Sequence, residues 1–113
     1  MCNLDVCVVD CTSKLSGQVY ILYESGEVKC KYLGQVLQFQ FLPADVVCDP
    51  NCNILITDVN NHMIHMLHHS GQFIRFLNSE TELLQYPLSI GLYKQQLLVG
   101  NTQGKVTVYK YDF

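Results

Sequence analysis

An internal repeat restricts the fold of this chain more than any other feature. Residues 45–76 have weaker echoes on both sides: Leu42-Pro43 recurs as Tyr86-Pro87, and Ser25-Gly26 recurs as Ser70-Gly71. Repeats with a spacing of this size are typical of stacked architectures, in which no single copy buries its apolar face alone. The chain is therefore expected to be a row of stacked units, with function on the surface that the stack presents.

The central repeat contains four short apolar runs. They cover residues 46–48, 54–57, 64–67 and 73–77, and Asp, Asn, Pro, Ser and Gly occupy the intervals between them. Short runs of this kind, bounded by turn-forming residues, predict antiparallel strands. Four such strands in about 40 residues are typical of one β-propeller blade.

The count of strands predicts an all-β fold, a partial β-propeller of about two and a half four-stranded antiparallel blades. Residues 1–34 form an incomplete blade, residues 42–77 a complete one and residues 86–113 an incomplete final one. Closed propellers typically have about four to eight blades. The apolar faces of the end blades are therefore expected to lie open, which makes self-association through them a further expectation.

Composition excludes several classes of protein. A hydrophobic fraction of 49% with only 15% charged residues excludes a disordered chain. The net charge of -3, with seven scattered basic residues, argues against tight binding to a phosphate backbone. No apolar stretch approaches the roughly 18 residues of a membrane span, and Asp5 and Asp10 interrupt any signal-like run. We expect a cytoplasmic protein with no membrane partner.

The six cysteines fit that compartment as free thiols. In a reducing environment cysteine acts as a small apolar residue, and Cys7 and Cys48 lie next to valines. Disulfides and metal binding stay open as alternatives.

Residues 58–67 read Asp-Val-Asn-Asn-His-Met-Ile-His-Met-Leu, and Ser-Gly-Gln-Phe follows at residues 70–73. This segment resembles the NHL repeat. The wider order, with an Asn-Leu-Asp-x-Cys-Val-x-Asp strand at residues 3–10 and Gly-Lys-Val at residues 104–106, is similar to the C-terminal end of the tripartite-motif (TRIM) NHL proteins.

In that family a six-bladed propeller follows RING, B-box and coiled-coil segments. This sequence contains neither a Cys-x-x-Cys pair nor a heptad run, so the ubiquitin-ligase chemistry of the RING zinc module is not expected from it. The resemblance implies the recognition part of such a ligase, which binds a protein partner or ubiquitination substrate. Single-stranded RNA is the alternative partner that the resemblance implies.

The loops of one propeller rim supply the candidate binding residues. These loops are expected at residues 11–18, 59–63 and 102–104, together with the connections 34–41 and 78–85. Their Asn, Gln, Ser, Thr and His side chains suit a protein or peptide and provide few cations for RNA. The candidate binding residues are Lys14, Asn60, Asn61, His62, Gln103 and Lys105.

Four residues are expected to shape turns rather than bind a partner. Asp58 ends a strand, where its carboxylate is predicted to accept backbone N–H groups two residues further on. Asp10 holds the equivalent position one repeat earlier, and Gly71 and Gly104 lie in turns. His62 is expected to pack or hydrogen-bond in the same turn as Asp58.

A metal site is a minor alternative. Cys52 and the pair His68 and His69 are expected on one rim, and Cys and His are zinc ligands. Three ligands are too few for a closed site, and we expect neither a metal nor another cofactor. No nucleophile–base–acid set and no Gly-rich phosphate loop is visible, so we expect no catalysis.

Three functional hypotheses follow. The first is a noncatalytic interaction module that binds protein partners through rim loops. The second is a single-stranded RNA-binding module in post-transcriptional regulation. The third is a truncated, non-functional propeller fragment.

Overall fold

The computed structural model describes residues 6–77 and 85–111, and ten β-strands form that part of the chain. Their bounds are β1 (Val6–Asp10), β2 (Gln18–Leu22), β3 (Val28–Tyr32), β4 (Pro43–Cys48), β5 (Ile54–Asp58), β6 (Met63–Leu67), β7 (Phe73–Phe76), β8 (Pro87–Tyr93), β9 (Gln96–Asn101) and β10 (Val106–Lys110).

The strands form three antiparallel sheets in chain order. The first sheet has the order β1-β2-β3, the middle sheet β4-β5-β6-β7 and the third sheet β8-β9-β10. The predicted all-β fold and the predicted series of three, four and three strands are confirmed. Within the described ranges, no helix long and apolar enough to cross a membrane is present.

The first strand of a repeat is longer than the sequence predicted. β4 begins at Pro43 and β8 at Pro87, whereas the apolar runs begin at residues 46 and 90. In both strands the pairing register shifts just after the proline, between Pro43 and Val46 and between Pro87 and Ser89. Proline has no N–H to donate to a ladder, and a bulge accommodates it at the start of the strand.

The middle sheet is covered on both faces. Every residue of β5 is buried. Ile54 and Ile56 pack with residues of the first sheet, including Ile21. Leu55, on the opposite face of the same strand, packs with residues of the third sheet, including Val99. Because side chains alternate along a strand, three consecutive residues of β5 contribute to two separate cores.

Among the residues that the structure describes, the end sheets are covered on one face only. Ile21 of the first sheet and Val99 of the third sheet are fully or almost fully buried. Val8 of the first sheet and Val108 of the third sheet point the other way and are about half exposed. Apolar side chains therefore fill the spaces between the sheets, and further apolar side chains are exposed on the two outer faces of the stack.

We expect Leu55→Ala to lower the free energy of unfolding by about 2–5 kcal/mol, because it leaves a cavity between the middle and third sheets. Urea denaturation followed by circular dichroism measures the change. The matched control is Ile74→Ala on β7, whose side chain is exposed, with an expected loss below about 1 kcal/mol. Equal losses in the two variants would contradict the two-sided packing.

Candidate interaction site

An open pocket of about 400 Å³ lies on one rim of the stack. Its walls come from residues 16–17, which lie between β1 and β2, and from residues 33–41, which connect the first sheet to the middle sheet. Val36 is fully exposed, and Leu33 and Phe39 are more than half exposed. The pocket therefore offers apolar side chains to solvent at a point where two sheets meet.

The floor of the pocket includes Phe41, which is buried and stacks edge-on against Tyr32 with ring centroids 5.3 Å apart. Gly34 passes directly over the Phe41 ring, and a Cβ at this position would collide with it. Gly34 also has a φ of +89°, which favours glycine. Gln35 and Gln38 add amide groups to the lining, so hydrogen-bonding and apolar groups alternate around the opening.

Asn60 and Asn61 fasten the two walls of this pocket. The Asn60 Nδ2 donates to the carbonyl of Leu15, at 2.8 Å, and to the carbonyl of Gln40, at 2.9 Å. The Asn61 Oδ1 accepts from the Phe39 N–H, and its Nδ2 donates to the Phe39 carbonyl, both at 3.0 Å. Both asparagines were expected to offer their side chains to a partner, and the structure uses them inside the chain.

His62 fastens the next connection. Its Nδ1 accepts a hydrogen bond from the Tyr86 N–H at 2.9 Å, and the two rings lie edge-to-face with centroids 4.4 Å apart. Both residues have positive φ, 55° and 48°. His62 therefore joins the end of β5 to the entry of the third sheet, and this contact occupies one of its ring nitrogens.

Asp58 is the buried centre of these contacts. Its Oδ1 accepts from the Leu42 N–H at 3.1 Å, and its Oδ2 accepts from Asn61 Nδ2 and His65 Nε2, both at 2.9 Å. The sequence predicted backbone donors two residues further on. The donors instead come from the preceding connection, from the Asn61 side chain in the β5–β6 turn and from β6. Asp58 is fully buried at the end of its strand, inside the stack.

His65 is a residue of this network that the sequence reasoning missed. It is fully buried, and it links Asp58 to the hydroxyl of Tyr32, which lies 2.7 Å from its Nδ1. Gln35 Nε2 then donates to the Tyr32 oxygen at 3.3 Å. Since the carboxylate only accepts, Nε2 carries a proton, and in the neutral imidazole Nδ1 then accepts from the phenol. A chain of hydrogen bonds thus runs from Asp58 to the wall of the pocket.

This network shifts two pKa values. Burial acts to raise the pKa of Asp58, but hydrogen bonds from His65, Asn61 and the Leu42 N–H outweigh it and hold the pKa below its ordinary value. For Tyr32, burial raises the pKa to about 12, the Gln35 amide opposes the shift, and the Asp58 charge adds to it. The network therefore favours a charged Asp58 and a neutral Tyr32 at neutral pH.

The Asp58–His65 pair has a geometry used for general-base chemistry, but here it is closed. Both side chains are fully buried, and Tyr32 is 5% exposed. The hydrogen bond to Tyr32 occupies the second ring nitrogen of His65. A general base needs hydrogen-bond reach to a substrate proton, and neither nitrogen offers that reach in this arrangement. The pair acts as a structural support for the pocket.

The other predicted binding residues lie apart from the pocket. Gln103 and Lys105 are exposed in the turn before β10, and their backbone N–H groups donate to Asn101 Oδ1 at 2.9 and 2.8 Å. Lys14 is exposed in the loop after β1. None of these three residues is part of the pocket lining.

The predicted turn residues occupy positions that suit their types. Gly71 and Gly104 have φ values of +95° and +84°, where a side chain is strained. A Cβ on Gly71 would also collide with the sulfur of Cys30, so the first and middle sheets approach closely there. Asp10 accepts from the Gln18 amide at 3.1 Å.

The candidate metal ligands do not converge. Within residues 6–77 and 85–111, no group of three or more His, Cys, Asp or Glu side chains could hold a metal ion. His68 and His69 stack on each other with centroids 4.0 Å apart, and His68 Nδ1 pairs with the Ser70 hydroxyl at 2.9 Å. Cys52, with a φ of 64°, shapes the turn between β4 and β5.

Comparison with known proteins identifies the fold. No protein-family model and no curated protein matches the sequence significantly. BamB from Moraxella catarrhalis is a structural match with a TM-score of 0.65 and 19% identity, over 93% of this chain and 29% of BamB. The computationally designed Ika4 protein matches with a TM-score of 0.60 and 15% identity, over 99% of this chain and 62% of Ika4.

A third match is the catalytically inactive H270A virginiamycin B lyase from Staphylococcus aureus, solved with quinupristin. Its TM-score is 0.55 and its identity 18%, over 90% of this chain and 41% of the lyase. The chain thus spans less than two thirds of each of these proteins. The fold is a partial β-propeller. At these identities the likeness concerns the fold alone, and the resemblance to TRIM-NHL proteins stays a prediction.

We expect Asp58→Asn to lower the free energy of unfolding at neutral pH by about 2 kcal/mol or more, because the new amide N–H₂ faces at least one buried donor in either orientation. The folded-state pKa of Asp58 lies below the unfolded value of 3.8. Its stabilising effect is therefore present above about pH 4 and disappears as the pH falls through the folded pKa. Between pH 7 and pH 2, the melting temperature of the variant should fall less than that of the wild type.

Asp10→Asn is the matched control, since Asp10 holds the same repeat position and is only half buried. Its variant should melt close to the wild type at pH 7. Equal destabilisation of the two variants would contradict the central role of Asp58.

The raised pKa of Tyr32 predicts how stability changes at alkaline pH. Its folded-state pKa, about 12, exceeds the ordinary value of 10.0, so its stabilising effect is present below pH 10 and disappears as the pH rises toward 12. Tyr32→Phe should reduce the fall in melting temperature across this window, whereas Tyr23→Phe, at an exposed position, should leave it unchanged. A fall as steep in Tyr32→Phe as in the wild type would refute this assignment.

Proposed function

We propose that this chain is a noncatalytic interaction module whose rim pocket binds a segment of a partner protein. The observation that carries the proposal is the pocket formed by residues 16–17 and 33–41, which presents Val36 and Phe39 on a rigid support. Sites of this kind combine apolar surface with a few fixed polar groups. Here the polar groups are glutamine amides, and their supply of donors and acceptors suits a peptide backbone.

Rigidity of the pocket supports binding. Asn60 and Asn61 hold the wall by four backbone contacts of 3.0 Å or less. Gln35 is joined to Asp58 through Tyr32 and His65. A loop that is ordered before binding loses less entropy when a partner arrives. The structure therefore uses buried polar side chains to hold an exposed apolar edge.

The electrostatics favour a protein over RNA. The described pocket lining contains no lysine or arginine, and the net charge of the chain is -3. Single-stranded RNA sites combine aromatic platforms with a basic groove. Phe39 offers an exposed ring, but no cation beside it in the lining would neutralise a phosphate.

The finer part of the proposal rests on the resemblance to TRIM-NHL proteins. In that setting the module is the substrate-recognition propeller of an E3 ubiquitin ligase, and its protein partner is a ubiquitination substrate. The closed Asp58–His65 pair supports a noncatalytic role for this chain.

Val36→Glu tests the pocket. Peptides selected from a phage-displayed random 12-residue library against the wild-type chain should bind the variant at least about tenfold more weakly, because burying one apolar side chain contributes about 1.5–3 kcal/mol. Fluorescence anisotropy of the selected peptides gives the dissociation constants. Val36 is fully exposed in the free chain, so the substitution should leave the melting temperature unchanged.

Ile74→Glu is the control, an exposed apolar position on β7 outside the pocket lining. Peptides that lose affinity equally for both variants, or a library that yields no binders, would count against the proposal. A mixed-sequence RNA of 20 nucleotides is measured in parallel at low and at physiological salt. Tight binding with a steep salt dependence, sensitive to Val36→Glu, would replace the protein partner with RNA.

A further inference from the structure

The outer face of the first sheet is apolar and exposed. It is defined here as the N-terminal face and consists of Val6, Val8, Tyr20, Leu22 and Val28, which the strand register places side by side. The three valines are 40–50% exposed. The residues that alternate with them, including Val19 and Ile21, are buried against the middle sheet.

The outer face of the third sheet has the same character. It is defined here as the C-terminal face and consists of Leu98, Val106 and Val108 together with Gly91 and Gly100, which are neighbours in the register. Val106 and Val108 are 60% and 51% exposed. A Cβ on Gly91 would meet only open space, whereas a Cβ on Gly100 would collide with the Ser89 hydroxyl. The face is therefore open beside Gly91.

The N-terminal face repeats one side of the middle sheet. In the first sheet Val8 pairs with Tyr20 and Val6 pairs with Leu22. In the middle sheet Ile56 pairs with His65 and Ile54 pairs with Leu67. The aligned strand ends, Asp10 and Asp58, make these the same repeat positions.

The middle sheet buries that side against the first sheet. The N-terminal face is therefore the side that a blade turns toward the blade before it.

The C-terminal face repeats the other side of the middle sheet. Leu98 pairs with Val108 as Leu55 pairs with Met66, and the middle sheet buries Leu55 and Met66 against the third sheet. The C-terminal face is therefore the side that a blade turns toward the blade after it. The chain thus exposes one face of each type. Contacts between these two types of face occur twice in its interior, once on each side of the middle sheet.

We propose that a second copy of this chain occupies these faces, with the C-terminal face of each copy packed on the N-terminal face of the other. The contact is heterologous, and two such junctions close a ring. The described part of each copy has three sheets, so two copies form a ring of six, within the range of about four to eight blades typical of closed propellers.

The internal interfaces of the chain identify the occupant. Inside the chain, a face equivalent to the N-terminal face already packs on one equivalent to the C-terminal face. This contact occurs between the first and middle sheets and again between the middle and third sheets. A second copy supplies both types at the correct ends. Charged side chains lie at the margins of the faces: Lys31 covers the Tyr20 ring at 5.6 Å, and Asp10 and Lys110 lie at strand ends. The centres of the faces are apolar.

Sedimentation velocity and light scattering of the whole chain test the ring. The expected mass is about 26 kDa, twice the 12.9 kDa of one chain. Val8→Lys on one face and Val108→Glu on the other should each weaken the dimer at least tenfold in dissociation constant. Both positions are exposed in the single chain, and circular dichroism verifies that the variants stay folded. Ile74→Glu should leave the dimer intact.

Mixing the two variants separates a head-to-tail ring from other dimers. In the mixed pair one junction is wild type, and the other brings the lysine of V8K against the glutamate of V108E, so the 26 kDa species should return. A wild-type mass of 12.9 kDa at 100 µM, a mass that grows without limit with concentration, or variants that fail to complement each other would overturn the proposal. Val36→Glu, which tests the pocket, should not change the mass.

Discussion

The two apolar faces of the middle sheet are the constraint on which this structure depends. Strands of five residues cannot form a core within a single sheet, and β5 is buried along its whole length. Burial of Ile56 needs the first sheet, and burial of Leu55 needs the third sheet. The stacked arrangement follows from this requirement, and the same requirement leaves the ends of the stack apolar.

The polar side chains in this dry stack support the rim. Asp58 ends the most deeply buried strand and accepts from Leu42, Asn61 and His65. A buried carboxylate with fewer partners would be strongly destabilising, so the network holds its members in one geometry. Through Asn61 it reaches Phe39, and through His65 it reaches Tyr32. The shape of the exposed pocket thus depends on hydrogen bonds that begin at a fully buried carboxylate.

The fold and the proposed binding pocket lie in different parts of this molecule. The similarity to BamB, Ika4 and virginiamycin B lyase concerns the sheets, and proteins with so little sequence in common share an architecture without sharing a site. The connection formed by residues 33–41 differs in sequence from the corresponding segments of the other repeats. Connections between sheets tolerate more sequence variation than strands do, although Phe41 of this connection is itself part of the core. The end faces, by contrast, belong to the packing surface itself.

The sequence by itself determined the strands, their grouping and the repeat, because apolar alternation and turn residues are local signals. It also pointed to Asp58, Asn61 and His62. The sequence already indicated a structural role for Asp58 and a packing or hydrogen-bonding role for His62. Only the tertiary structure decided which groups these side chains contact, because the partners Leu42, Phe39 and Tyr86 lie 16 to 24 residues away. Likewise His65 is read from the sequence as one polar residue in a strand, and its pairing with Tyr32 exists only across the packed sheets. Local pattern specifies which residues form strands, but which polar groups meet depends on how the strands stack.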